Sequence, residues 1–259
     1  MKAGETVTDG ELRDMYLGLL RDCLTGLVYD DPPLEWSGVG LRPFDRRARE
    51  IGVDWPAHAH SMIGAARMLQ LQRAVEQVLE HGIAGDFIET GVWRGGACIF
   101  MRAVLKVHGV TDRRVWVADS FRGLPPPAPE RYPVDRGDHL HTIRALAVSL
   151  DSVRGNFARY GMLDDQVVFL EGWFRETLPA APIAKLAILR LDGDMYESTM
   201  DALSALYDKV SEGGFVIVDE YYAYPRCRAA IDDFRAARRI AEPMHDIDGS
   251  GVFWRRGVA

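Results

Sequence analysis

The chain predicts a doubly wound α/β fold, a mostly parallel sheet with one antiparallel edge strand, and three observations carry that reading. After Gly85, five strand-length apolar runs alternate with segments of helical periodicity. Two of those runs, Leu186-Ala-Ile-Leu-Arg-Leu191 and Gly214-Phe-Val-Ile-Val218, are apolar along nearly their whole length, as strands covered on both faces by helices are. The chain then closes with two short runs joined by Asp248-Gly-Ser-Gly251, a tight-turn signal for a hairpin at one edge.

Composition bounds the rest. With 259 residues, 47% hydrophobic and 27% charged, the chain fits one large domain, about 61–259, preceded by a helical extension over about 1–60. A formal charge of −7 leaves no basic face for nucleic-acid phosphates. Cys23, Cys98 and Cys227 are widely spaced, odd in number and without a zinc-ligand pattern, so reduced thiols in a cytoplasmic protein are expected. The sequence shows no basic-then-apolar leader and no apolar run near membrane-spanning length, so neither secretion nor a membrane role is expected.

In chain order, residues 1–10 are polar and expected to fray. Leu12, Met15, Tyr16, Leu19, Leu20, Cys23 and Leu24 recur at helical spacing from Glu11 to about Tyr29. A Pro/Gly-rich linker (30–43) and a charged helix (43–51) follow, then the lead-in Asp54-Trp-Pro-Ala-His-Ala-His-Ser-Met-Ile-Gly64 and a helix over about 64–81 that Gly82 stops. Strands are expected near 86–90, 114–119, 166–171, 186–192, 214–219, 244–248 and 251–255. Helices are expected near 95–109, 142–160, 174–180, 197–210 and 225–240. The stretch from Phe121 to about Leu140 has no periodicity and reads as a lid.

Ligands of open α/β sheets sit outside the carboxyl ends of the strands, so the residues there are the candidates. The first strand ends Glu89-Thr-Gly-Val-Trp-Arg-Gly-Gly96, where Gly91, Gly95 and Gly96 allow a tight strand-to-helix turn. The spacing is not GxGxxG, and Glu89 would repel a pyrophosphate but attract an amino group and a sulfonium, which favours S-adenosylmethionine over a dinucleotide. Asp119, closing the second strand, is placed to accept the two ribose hydroxyls, or else to cap the following turn with Ser120. Gly172 and Trp173 after the third strand could bracket an adenine. Asp192, Asp194, Asp219 and Glu220, from two strand ends, form an acidic rim that calls for a hard cation such as Mg²⁺. His58, His60, His139 and His141 stand in pairs two residues apart and are further candidates for proton work.

Several linked motifs together resemble the macrocin O-methyltransferase (TylF) family: Glu89-Thr-Gly-Val-Trp-Arg-Gly-Gly, Val117-Ala-Asp-Ser-Phe, Arg190-Leu-Asp-Gly-Asp-Met-Tyr, Gly213-Gly-Phe-Val-Ile-Val-Asp and Gly251-Val-Phe-Trp-Arg. The resemblance covers roughly 54–256. It implies a class I methyltransferase fold, S-adenosylmethionine as donor, Mg²⁺, and a deoxysugar hydroxyl of an antibiotic as acceptor. On the matching positions it implies Asp192, Asp219 and Glu220 as metal ligands. It implies cofactor contacts from Met62, Glu89, Thr90, Gly91, Trp93, Arg94, Gly95, Asp119, Ser120, Gly172 and Trp173. Asp194 matches the general base, with His139 in the lid a lesser candidate. Relatives carry Asp-Asp after the fifth strand where this chain has Asp219-Glu220.

Three other readings share parts of this pattern. A catechol or a nucleotide-linked sugar could replace the glycoside acceptor. A nicotinamide-dependent oxidoreductase shares the fold but has no use for the acidic rim, and a non-catalytic scaffold would not need the acids. The N-terminal helix has no evident partner in a doubly wound core, which points to packing on a second subunit and a homo-oligomer.

Overall fold

The computed structural model describes residues 7–35 and 42–258. Helix α1 (Asp9–Thr25) starts earlier than its polar sequence suggests, because Thr8 and Glu11 form a reciprocal capping box. Its inward stripe is Leu17, Leu20 and Leu24, packed into the same core as the later helices, while Leu12, Met15, Tyr16 and Leu19 stay exposed. The helix therefore does have a partner in the core. After it, Gly26 takes a left-handed conformation as the cap, and a fully buried Arg49 on α2 (Arg46–Glu50) binds the carbonyls of Thr25 and Asp31 and the carboxylate of Asp54. The linker positions Gly38 and Gly40 lie outside the described residues. Helix α3 (Gly64–Glu80) ends just before Gly82.

The sheet holds β1 (Asp86–Thr90), β2 (Val115–Asp119), β3 (Val167–Glu171), β4 (Leu186–Leu191), β5 (Val210–Val218), β6 (His245–Asp246) and β7 (Val252–Arg255). Their order is β3-β2-β1-β4-β5-β7-β6. The first five are parallel, and β7 runs antiparallel between β5 and the two-residue β6 at the edge. Alternation along the strands builds two cores. Phe87, Val117, Ile188 and Ile217 face α1, α3, α4 (Gly96–Val107) and α5 (Leu150–Arg159). Ile88, Trp116, Leu189, Val216 and Val218 face α7 (Tyr196–Leu206) and α8 (Pro225–Arg238), with short α6 (Phe174–Thr177) leading into the same layer.

The helix expected over 142–160 is only α5. Residues 140–146 form two tight 3₁₀ turns instead, continuing the irregular strap that begins at Phe121. That strap is pinned. Asp135, fully buried, accepts from the backbone N–H groups of Tyr196 and Glu197, both at 2.9 Å, and so caps a helix whose own N-cap residue Met195 provides no side-chain bond. Tyr132 lies against Tyr196, Arg226 donates to the Arg136 carbonyl, and the Trp93 indole donates to the Ala145 carbonyl.

Candidate active site

The carboxyl ends of β1, β2, β3, β4 and β5, the lead-in before α3 and the strap enclose one cavity of about 670 Å³. Its floor depends on a backbone approach. Gly91 (φ 89°) lies so close to the Asp192 carbonyl that any Cβ would overlap it, and Gly96 also lies too close for a Cβ to the His60 carbonyl, to which it donates at 3.0 Å. The glycines thus bring the β1 turn against both the β4 end and the lead-in. Trp93 holds a left-handed φ of 47°, a strained geometry of the kind that functional turns retain. The Arg94 guanidinium lies 4.0 Å from the Trp93 ring centroid and donates to the carbonyls of Pro56, Ala57 and Ala59, fixing the lead-in.

Of the expected cofactor contacts, Met62, Glu89, Gly91, Trp93, Asp119, Ser120, Gly172 and Trp173 line the cavity. Thr90, Arg94 and Gly95 do not: Thr90 bonds the Arg190 carbonyl, and Gly95 is the N-cap of α4. Asp119 accepts from the N–H groups of Val92 and Phe121 at 2.8 and 2.7 Å, so it knits two turns together at the cavity wall. Burial raises its proton affinity against the pull of those bonds.

The acids divide into two groups. Asp192, Asp194 and Glu220 bring carboxylate oxygens within 4.8 Å of one another. Burial, then the charge of Asp219, push Asp192 and Glu220 well above the usual carboxylate range, and burial with Asp219 and Asp138 nearby pushes Asp194 up to about 7. Asp219 itself is not grouped with them. Its carboxylate is taken by Arg190 on one oxygen and Arg67 on the other, and although burial opposes it, these two cations hold Asp219 below its ordinary value. Asp194 sits at a left-handed φ of 59°.

The histidines separate as well. His60 lines the cavity, with Nδ1 2.8 Å from the Tyr160 hydroxyl, and burial and then Arg94 push it down to about 4, so it is neutral near pH 7. His58 turns outward while its Nδ1 holds Asp31 at 2.8 Å. His139 and His141 are exposed and do not line the cavity.

Sequence reasoning passed over Arg67, Arg190, Asp135, Glu197 and Asp201. Arg190 did leave a signal: a lone cation within a buried strand has to be paired. Glu197 and Asp201 line the cavity from α7, and burial together with the charge of Glu197 raises Asp201 to about 6.

The chain is similar to known O-methyltransferases along nearly its whole length. The family Macrocin-O-methyltransferase (TylF) matches residues 34–256. The 8-demethyl-8-(2,3-dimethoxy-alpha-L-rhamnosyl)-tetracenomycin-C 4'-O-methyltransferase of Streptomyces olivaceus is 53% identical over 250 residues, covering 96% of this chain and 95% of that protein. The demethyldecarbamoylnovobiocin O-methyltransferase of Streptomyces niveus is 50% identical over 256 residues, covering 98% and 97%. The solved structure of the O-methyltransferase NovP superposes with a TM-score of 0.91 at 49% identity, over 94% of this chain and 99% of that one. The calicheamicin methyltransferase CalS11, at 20% identity and a TM-score of 0.60 over 98% and 95%, shares the fold. A seven-stranded sheet of this order, its glycine turn, and near-full-length likeness at about half identity give one conclusion: this chain belongs to the macrocin-O-methyltransferase (TylF) family and is an O-methyltransferase.

Proposed function

We propose that this enzyme transfers the methyl group of S-adenosylmethionine to a deoxysugar hydroxyl of an assembled antibiotic glycoside, with Mg²⁺ as a required cation. One observation carries the acceptor reading. Among the described residues the cavity is lined by eight carboxylic residues and by a single arginine, Arg175, with no lysine and with His60 neutral. Such a surface attracts a sulfonium and repels a diphosphate, so a nucleotide-linked sugar is disfavoured. Much of the remaining wall is apolar, with Val53, Trp55, Leu124, Leu140, Ile143 and Leu146 offering contact to an uncharged aglycone.

The donor set fits the cation. Three carboxylate oxygens drawn this close, with raised proton affinities, need a proton or a cation among them, and all-oxygen donors suit a hard ion. Asp192 and Glu220 would hold Mg²⁺, while Asp219 keeps its oxygens on Arg67 and Arg190 and contributes charge from the same rim. The ion, when bound, supplies electrostatic stabilisation to an oxygen that is losing its proton.

Glu89 and Asp119 would hold the cofactor's cationic and ribose ends, Trp173 would border its base, and the strap would exclude water from above. The acceptor oxygen attacks the sulfonium methyl carbon; the new C–O bond forms as the C–S bond breaks, leaving S-adenosylhomocysteine. Asp194 takes the hydroxyl proton. Without a cation, burial and the neighbouring acids push Asp194 up to about 7; a cation held by Asp192 and Glu220 would lower it, leaving an ionised carboxylate to accept the proton, whereas His139 stands outside the cavity lining. The exposed row Leu12, Met15, Tyr16 and Leu19 on α1 supports a homo-oligomer. A cytoplasmic setting is part of this proposal; separately, among the described residues no helix is long and apolar enough to cross a membrane.

The test is methyl transfer with S-adenosylmethionine and a panel of demethyl antibiotic glycosides, nucleotide-linked deoxysugars and a catechol, with Mg²⁺ and with EDTA. Product on glycosides alone, lost in EDTA, is expected. Product only on a nucleotide-linked sugar or a catechol, or activity that survives thorough chelation, would overturn the corresponding half of the proposal. Asp194→Asn should lower kcat about 10²–10⁴-fold with cofactor affinity retained.

A further inference from the structure

Arg190 is a fully buried cation at the point where the cofactor end and the cation end of the site meet. Strand register puts it there. Glu89 on β1 pairs with Arg190 on β4, and Arg190 pairs with Ile217 on β5. With side chains alternating, Glu89, Arg190, Asp192 and Asp219 all fall on one face. The Arg190 Nη1 donates both to Glu89 Oε1 and to Asp192 Oδ2, the latter at 2.7 Å, and Nη2 donates to Asp219. The second oxygen of Glu89 accepts from the Cys98 thiol at 3.0 Å. Asp219 is held on its far side by Arg67, which also bonds Asp248 and the carbonyls of Ile51 and Gly52. One nitrogen is therefore divided between an acid of the cofactor pocket and an acid of the carboxylate cluster.

We propose that Arg190 is a positioning residue that couples the two binding sites by sharing Nη1 between Glu89 and Asp192. The inference rests on the reading above that S-adenosylmethionine and Mg²⁺ bind here. A cation drawn to Asp192 competes with one N–H of Nη1 for that carboxylate and repels the guanidinium, which shifts towards Glu89, where the other N–H stays bonded. Glu89, more fully neutralised, attracts the positively charged cofactor less. Each ligand weakens the other, and by linkage the factor is the same in both directions.

Direct repulsion between two cations has the same sign, so the wild type alone does not separate the causes. Calorimetric titration of S-adenosylmethionine with and without Mg²⁺ should give about a fivefold weakening by Mg²⁺ in the wild type, within the usual range of site coupling. In Arg190→Met that ratio should fall below about twofold, whereas through-space repulsion would leave it unchanged or enlarge it. A second readout needs no variant of Arg190. With Mg²⁺ alone and no cofactor, the infrared S–H stretch of Cys98, assigned by subtraction of Cys98→Ala, should move to higher frequency as Glu89 becomes a weaker acceptor. A wild-type ratio near one, a ratio unaltered in Arg190→Met, or an unmoved S–H band while Mg²⁺ binds would each overturn the coupling; if Arg190→Met does not fold, Arg190→Lys, which keeps the charge but lacks the planar fork that reaches Glu89, Asp192 and Asp219 together, should show the same fall in the ratio, and an unaltered ratio there would overturn it. Absence of cofactor or Mg²⁺ binding to the wild type would instead refute the proposed function.

Discussion

Asp135→Ala should cost this fold about 3 kcal/mol, although the residue lies in the most irregular stretch of the chain. Its carboxylate is fully buried and caps α7 from sixty residues upstream, with one oxygen on each of two backbone N–H groups at 2.9 Å. A hydrogen bond to a charged group contributes about 1.5–3 kcal/mol, and a buried donor left unpaired costs about 1–3 kcal/mol. Two such bonds, reduced because water can enter beside the half-buried Tyr132, give the stated figure. At roughly 2–4 °C per kcal/mol for a chain of this size, Tm should fall by about 6–12 °C. Urea unfolding and calorimetry at pH 7.5 measure it. Asp135→Asn keeps one acceptor and should lose about half as much. The strap that Asp135 pins also carries Leu140, Ile143 and Leu146 to the cavity, so KM for the acceptor should rise along with the loss of stability. A loss under about 1 kcal/mol for the alanine variant, or an asparagine variant as damaged as the alanine, would refute the capping argument.

Asp201 carries a pH signature. Its folded-state value, about 6 against 3.8, is raised, so its stabilising contribution is complete below about 3.8 and is lost as pH rises through about 6. Asp201→Asn should therefore match the wild type at pH 4 and exceed it at pH 8 by about 1 kcal/mol, a figure already reduced for a half-exposed group; equal Tm values at pH 8 would contradict this. Paired substitutions Met15→Glu and Leu19→Glu on the exposed face of α1 should lower the mass found by light scattering without lowering Tm, and an unchanged mass would remove the oligomer proposal. Gly91→Ala places a methyl group on the Asp192 carbonyl and forces a left-handed alanine, so it should destabilise the fold by more than about 3 kcal/mol and abolish cofactor binding. A folded, binding-competent Gly91→Ala would mean that the β1 and β4 ends are not held in contact.

The sheet was legible because burial leaves a periodic trace. β1 to β5 and β7 fall within a few residues of their apolar runs, and the acids at the strand ends mark the rim. What escaped was pairing across the sequence. The stripe on α1 was misassigned because seven apolar residues cover more than one face, and spacing alone does not say which face meets α3 and α4; Leu17 does, and Met15 does not. The helix expected from residue 142 starts only at Leu150, because the strap's tight turns are fixed by tertiary bonds such as that from Trp93 to Ala145 rather than by local propensity.

The acidic rim shows how far composition reaches. Four acids at two strand ends were visible in the sequence, but they are chemically unequal, and the inequality comes from two arginines on different elements. Arg67 projects from α3 and Arg190 from near the carboxyl end of β4, and both close on Asp219. With two cations on one carboxylate, Asp219 stays charged, and its charge adds to burial, the larger cause, in raising the proton affinity of Asp192, Asp194 and Glu220. One fixed anion thus prepares three neighbours to want a proton or a cation. An aspartate in the place of Glu220 would reach less far by one methylene, so the glutamate suits a rim in which the adjacent Asp219 is already committed to arginine.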